Sequence, residues 1–202
     1  MNVIVLTYPT PKDVLALVDI KKDDVIIAVD QAIEHIDLKV IKPHVVLGDF
    51  DSIKDENILK DFKIKRLNPI KDLTDTHDAI LYAQSLKPNQ IYLIGGMDGG
   101  KRIEHFYAHT LLFDIEPHLI WKNEHTDIRR YDEGSYKINR DGYVSIFAYP
   151  YAKISLKGFK YPLIDYELKQ FDPLCISNEV TDVEGWIDIH KGSVLVYQSK
   201  KE

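Results

Sequence analysis

Cysteine is nearly absent from this chain: Cys175 is the single one among 202 residues. No intrachain disulfide can form, a cysteine-rich zinc site is excluded, and a reducing compartment suits the composition. In the apolar run 173–176 that thiol reads as a core filler rather than a nucleophile. Long hydrophobic runs are missing too. None approaches the roughly 18 residues of a membrane helix, and the first residues lack a charged segment followed by a signal-type apolar core. A cytoplasmic location is therefore expected. Positive charge is also in short supply, with 26 Lys and Arg against 32 Asp and Glu and a net charge of −6. Such a balance carries no footprint for nucleic acid, but an acidic surface tolerates a small cationic substrate. What is present, 45% hydrophobic and 29% charged residues, is the composition of a globular protein long enough for one large or two small domains.

Two textures divide the chain. In the first part, short apolar runs at 2–7, 25–29, 45–47, 63–67 and 90–94 read as buried strands. Between them, Val14, Leu15, Leu17 and Val18, then Ala32, Ile33, Ile36 and Leu38, then Ile58, Leu59 and Phe62 suggest short amphipathic helices. Longer helices are expected over 72–86 and 102–113. The alternation predicts an α/β domain with a mostly parallel sheet and helices on both faces. From about residue 118 helical periodicity stops. Short β-rich runs at 119–122, 128–131, 143–149, 153–156, 183–189 and 194–198 alternate with glycine turns, which predicts an all-β sandwich. The expected division is an α/β domain over 1–120 and a sandwich over 121–202.

The chemistry concentrates where strands end. Val45-Val46-Leu47 runs into Gly48-Asp49-Phe50-Asp51-Ser52. If the chain stays extended there, a spacing of two puts both carboxylates on one side. Two such charges about 4 Å apart repel by roughly 4 kcal/mol at an effective dielectric near 20, which calls for a cation between them or a proton on one. A Mg²⁺ seat, and with it phosphates, is one reading; a capped turn with Ser52 as N-cap is the other. Asp72 and Asp75, three apart at a helix start, repeat the ambiguity: they face a site, or they and Thr74 cap and charge a helix N-terminus. Lys71 offers a point charge for phosphate. The glycine-rich stretch Gly95-Gly96-Met97-Asp98-Gly99-Gly100 joins a strand to a helix opening on Lys101 and Arg102, a setting in which backbone N–H groups approach phosphates. It spells neither a Walker loop nor a dinucleotide fingerprint. Glu104 and His105 follow. Because ligands of parallel sheets sit beyond the carboxyl ends of strands, Asp30, Asp49, Asp51 and the glycine stretch can share one site.

Five motifs in order carry a resemblance. Gly48-Asp49-Phe50-Asp51-Ser52, Lys71-Asp72-Leu73-Thr74-Asp75, Gly99-Gly100-Lys101-Arg102-Ile103-Glu104-His105, Gly158-Phe159-Lys160-Tyr161-Pro162-Leu163 and Ser177-Asn178-Glu179 succeed one another as in thiamine pyrophosphokinases. The resemblance spans about residues 28 to 180. It implies a nucleotide-binding catalytic domain, a thiamine-binding β-sandwich, and a homodimer with active sites between subunits. It also implies transfer of pyrophosphate from ATP to the hydroxyl of thiamine, giving thiamine diphosphate and AMP, with Mg²⁺ as cofactor.

Asp49 and Asp51 match the family's metal- and phosphate-handling aspartates. Asp72, Thr74 and Asp75 match its second acidic motif, with Asp72 a third metal ligand. Arg102 resembles the arginine that faces phosphates, and Glu104 stands where Asp is usual. Asp30, Ser52, Lys71, Gly99, Gly100, Glu104 and His105 fall at the nucleotide end. Tyr161, Ser177 and Asn178 resemble the part that receives thiamine. Three departures accompany the match: Ala28-Val29-Asp30-Gln31 replaces Ala-Asp-Gly-Gly, Lys101 is inserted, and His109 replaces Asn. The motifs leave two alternatives open, a diphosphokinase acting on another hydroxymethyl heterocycle such as a pterin, and a non-catalytic nucleotide- or thiamine-binding homologue. A metal-dependent phosphohydrolase fits less well, because its nucleophilic Asp directly follows an apolar strand without Gly48 and Ser52.

Overall fold

The computed structural model of the chain describes residues 1–68, 72–97, 103–139 and 142–201, and its contacts form two compact units, Met1–Glu124 and His125–Glu202. In the first unit, β1 (Val3–Thr7), β2 (Val25–Val29), β3 (Val45–Gly48), β4 (Ile64–Arg66), β5 (Ile91–Gly95) and β6 (Ile120–Lys122) pair in parallel in the order β6-β5-β1-β2-β3-β4. The central strands are Val/Ile/Leu runs because both of their faces are covered. Crossovers between parallel strands are right-handed, so the connections made while the chain moves outward from β1 to β4 fall on one face. Those made after it returns to β5 and β6 fall on the other.

On the first face, Ile4, Leu6, Ile26, Ala28, Val46 and Ile94 pack against Val14, Val18, Ala32, Ile33, Phe50 and Leu59. The α-helices expected on this face do not form. The stretch after β1 is a set of turns, and Asp30–Glu34 and Glu56–Asp61 are single 3₁₀ turns. The apolar residues do reach the core, but from turns: Asp13 accepts from the Ala16 N–H, Asp37 from Lys39, and Asp55 caps the second 3₁₀ turn by accepting from Asn57. Segments this short gain little from helix propagation to offset the cost of nucleation.

The other face carries α1 (Asp75–Ser85), which lies across β1, β2, β3 and β5 and buries Thr76, Ala79, Ile80 and Ala83. It starts three residues later than its apolar pattern suggested, because Thr74 is the N-cap and accepts from the His77 N–H. Next come α2 (Ile103–Thr110) and α3 (Leu112–Ile115), whose Leu112 and Phe113 are fully buried. The run 119–122, grouped above with the β-rich half, instead extends the parallel sheet as β6; three residues carry too little periodicity to tell the two apart.

The second unit is antiparallel throughout its named strands. Here β11 (Gly185–Ser199) pairs along its length with β9 (Tyr143–Lys157), with β8 (Gly134–Ile138) at its first half and with β7 (Thr126–Tyr131) at its second, while β10 (Leu163–Lys169) flanks β9. Alternate residues of both arms of β9, among them Val144, Ile146, Ile154 and Leu156, join Ile187, Ile189, Val194 and Val196 in one core. Pro150 and Lys191-Gly192 read as strand breaks in the sequence. The strands run through both, with register shifts around Ile189–Val194 that let the ribbon bend.

Candidate active site

Three carboxylates meet where β2 and β3 end. Asp30 leaves β2 in the left-handed conformation, with φ of 48°. Gly48 makes its approach possible: a Cβ there would stand 3.1 Å from the Asp30 Cα. The Gly48–Ser52 stretch is not extended. Phe50 has φ of 68°, drops its ring into the core, and the Asp51 N–H turns back to donate to Asp49 Oδ1 at 3.1 Å. A tight turn around a buried aromatic, rather than pleating, gathers the two acids. Carboxylate oxygens of Asp30, Asp49 and Asp51 lie within 4.8 Å of one another, and Ser52 Oγ donates to Asp30 Oδ2.

The electrostatics follow from that crowding. Burial pushes the Asp30 carboxyl above its usual range; the Ser52 hydroxyl opposes this, and Asp75, Asp49 and Asp51 add to it. Asp51 is raised chiefly by the charge of Asp49. Asp30 Oδ1 is buried and has no hydrogen-bond partner among the described residues. Hard carboxylate oxygens around an orphaned buried acceptor are a donor set that fits a divalent cation such as Mg²⁺.

A raised folded-state value means that ionisation opposes folding. The stability these groups contribute is present below their ordinary value of 3.8 and lost as pH rises through the raised one. Asp30→Asn is therefore expected to raise the melting temperature of the metal-free protein by a few degrees at pH 7 and to leave it unchanged at pH 3, read by calorimetry across that range.

Beside the carboxylates opens a cleft of about 190 Å³ at the ends of β1, β2 and β5, with Thr7, Asp30, Gln31, Thr74, Asp75, Thr76, Gly96 and His105 in its lining. Between β1 and β5 the strand order reverses, the place where open parallel sheets take ligands. The structure thus brings Asp30, Thr74, Asp75 and His105 around one cleft and Asp49, Asp51 and Ser52 beside Asp30. Asp72 is exposed and is not in the carboxylate cluster formed among the described residues. Glu104 is exposed, 4.0 Å from the His105 imidazole. Lys71, Gly99, Gly100, Lys101 and Arg102 lie outside the described residues.

Tyr161, Ser177 and Asn178 belong to the second unit. Tyr161 and Asn178 line a hollow of about 250 Å³ with Leu163, Leu174, Cys175 and Ile176. The Asn178 amide is spent on the chain: its oxygen accepts from the Tyr161 and Glu179 N–H groups, and Nδ2 donates to the Tyr161 carbonyl. Ser177 is exposed with φ of 55°, its N–H donating to Ser145 Oγ.

Sequence reasoning passed over Arg66. Its guanidinium donates to the Asp49 carbonyl at 3.0 Å, lies 4.8 Å from the Phe50 ring and pairs with Glu56 at 3.6 Å, clamping the acidic turn from outside. Its place at the end of a strand beside β3 was the available signal.

Known proteins match this architecture along most of its length. The thiamin pyrophosphokinase catalytic domain matches residues 19–116, and the thiamin pyrophosphokinase vitamin B1 binding domain matches residues 128–194. Thiamine pyrophosphokinase of Bacillus subtilis strain 168 is 31% identical over 177 residues, covering 79% of this chain and 79% of that protein. The crystal structure of thiamine pyrophosphokinase from Bacillus subtilis superposes with a TM-score of 0.85 at 24% identity over 100% of both chains. The Geobacillus thermodenitrificans structure gives 0.82 at 24% identity, covering 100% of this chain and 99% of that one. The more distant Candida albicans thiamin pyrophosphokinase still gives 0.76 at 14% identity, over 99% and 89%. The chain belongs to the thiamine pyrophosphokinase family.

Proposed function

We propose that the acidic cleft of the first unit is where this enzyme carries out its reaction, the transfer of pyrophosphate from ATP to the hydroxyl of thiamine, giving thiamine diphosphate and AMP. The observation that carries the assignment is the crowding of Asp30, Asp49 and Asp51 around the Oδ1 of Asp30, unpartnered among the described residues, beside the cleft at the carboxyl ends of a parallel sheet. In this reading those three residues hold Mg²⁺, with Asp30 rather than Asp72 as the third ligand. When bound, the cation neutralises charge on the ATP phosphates.

The residues of the chain do the rest. The thiamine oxygen bonds to the β-phosphorus as the bridge to the α-phosphate breaks, and the electron pair leaves with AMP. Such transfers depend on positioning and charge neutralisation more than on covalent help from the protein. Asp75, on the first turn of α1 and on the cleft wall, is placed to accept the hydroxyl proton; Asp72 was the other candidate. Lys71, Gly99, Gly100 and Arg102 contribute donors to the phosphates by their place in the motifs, and His105 flanks the nucleotide. The acidic wall also suits the cationic thiazolium ring.

The second unit, read as a β-sandwich, presents the exposed Tyr161 ring and Ser177 to thiamine, while Asn178 keeps that loop in shape. Tyr161→Ala is expected to raise the KM for thiamine about tenfold and leave that for ATP unchanged, the loss of one aromatic contact. A homodimer belongs to the same reading, supported by the exposure of Phe171, Leu174 and Ile176, and so does residence in the cytoplasm. Among the described residues no helix is long and apolar enough to cross a membrane.

Incubation with ATP, Mg²⁺ and thiamine, followed by identification of the nucleotide product, tests the function. Thiamine-dependent AMP is the expected result. ADP, or phosphate released without an acceptor, would overturn it.

A further inference from the structure

One buried polar group near the cleft has no part in the reaction as described. His109, on α2, is 2% exposed in the first unit. Its Nδ1 lies 3.4 Å from the Gly96 carbonyl and its Nε2 lies 3.3 Å from Thr76 Oγ1, which is itself 3.2 Å from Thr7 Oγ1. Thr7, Thr76 and Gly96 all line the cleft. The ring meets Trp121 edge to face at 5.5 Å, and Trp121 Nε1 donates to the Gly95 carbonyl at 2.7 Å.

Gly96 sits directly on the imidazole. A Cβ there would come within 2.6 Å of His109 Cε1 and 2.8 Å of Thr7 Cγ2, and the glycine has φ of 69°. The contacts also determine the tautomer. A carbonyl only accepts, so Nδ1 carries the proton and Nε2 accepts the Thr76 hydroxyl, which leaves Thr7 to donate to Thr76. Burial keeps the ring neutral, with its pKa lowered to about 4.

We propose that His109 is a positioning residue for the nucleotide. It ties the Gly95-Gly96 turn after β5 to the first turn of α1 and the end of β1, and so holds the cleft floor in the shape that ATP meets. The inference rests on the placement of ATP in this cleft. A side chain with a donor at one end and an acceptor at the other is what the bridge requires. An asparagine amide supplies the same pair, whereas a phenylalanine supplies only the ring.

His109→Phe and His109→Asn test this with two readouts, steady-state kinetics and calorimetric binding of ATP without thiamine. His109→Phe is expected to raise both the KM and the Kd for ATP about tenfold, the worth of one ordinary hydrogen bond. Its kcat and its KM for thiamine should stay close to wild type. His109→Asn is expected to restore most of the ATP affinity. Unchanged ATP affinity in His109→Phe would overturn the proposal. So would an equal loss in both variants accompanied by a lower melting temperature, since that marks a packing role alone. Because ATP binding is measured without turnover, a wild-type enzyme that makes no AMP would refute the proposed reaction while this inference stood or fell on the binding data.

Discussion

Asp51→Asn lowers thiamine-dependent AMP formation by about a hundredfold to a thousandfold, the scale on which loss of one charge-stabilising group at a reacting centre is felt. The substitution is nearly isosteric at an exposed position, so no packing is lost. It also removes one of two like charges whose repulsion holds Asp51 above its usual range. The metal-free protein is therefore expected to melt at the same temperature or slightly higher while activity collapses. Opposite signs for stability and activity distinguish a site built around charge from a structural turn. Quantifying AMP by chromatography beside a thermal melt reads both. A rate near wild type would remove Asp51 from the site. The same charge logic gives the pH dependence: carboxylates must be ionised to hold a cation, and two of the three titrate above the ordinary range. Activity is accordingly expected to fall on acidification sooner than it would for unperturbed aspartates.

Trp121→Ala is expected to destabilise the first unit by about 3–5 kcal/mol, the usual cost of truncating a fully buried large aromatic. Trp121 is 0% exposed, its ring lies 5.1 Å from Phe106 and 5.5 Å from His109, and its indole N–H satisfies the Gly95 carbonyl. Truncation opens a cavity and removes the buried indole hydrogen bond to that carbonyl. For a unit of this size the loss corresponds to a drop in melting temperature of roughly 10 °C or more. Trp121→Phe keeps most of the volume and is expected to lose about half as much. Scanning calorimetry of the two variants decides it; equal melting temperatures for Trp121→Ala and wild type would refute the packing account.

The strands of the parallel sheet were legible because burial on both faces leaves continuous apolar runs, as in Val3–Thr7 and Val25–Val29. The helices of one face were not. Val14, Ile33 and Leu59 have the right spacing and do reach the core. Whether so short a segment reaches the core as an α-helix or as turns depends on how little propagation offsets nucleation, which spacing cannot express. In the second unit, Gly134–Ile138 and Leu163–Lys169 escaped notice. The first begins at a turn-like glycine, and the second exposes Ile164 and carries alternating charge on an edge of the sheet.

At the site, Asp49 and Asp51 announced themselves by motif, and their nearness to Asp30 followed from strand order. The means of that nearness, a buried Phe50 and the bare Cα of Gly48, is tertiary. Arg66 meets the Asp49 carbonyl, and His109 the Gly96 carbonyl and the Thr76 hydroxyl, partners 13 to 33 residues away that local spacing does not record.

The central claim is that Asp30, Asp49 and Asp51 together seat the cation that meets the ATP phosphates. Paramagnetic resonance of Mn²⁺, titrated into the protein with the α,β-methylene analogue of ATP, tests it without turnover. The account predicts a tight Mn²⁺ signal in the wild type that is lost in both Asp30→Asn and Asp51→Asn and retained in Asp72→Asn. Undiminished Mn²⁺ binding in the first two variants, or its loss in Asp72→Asn alone, would contradict it.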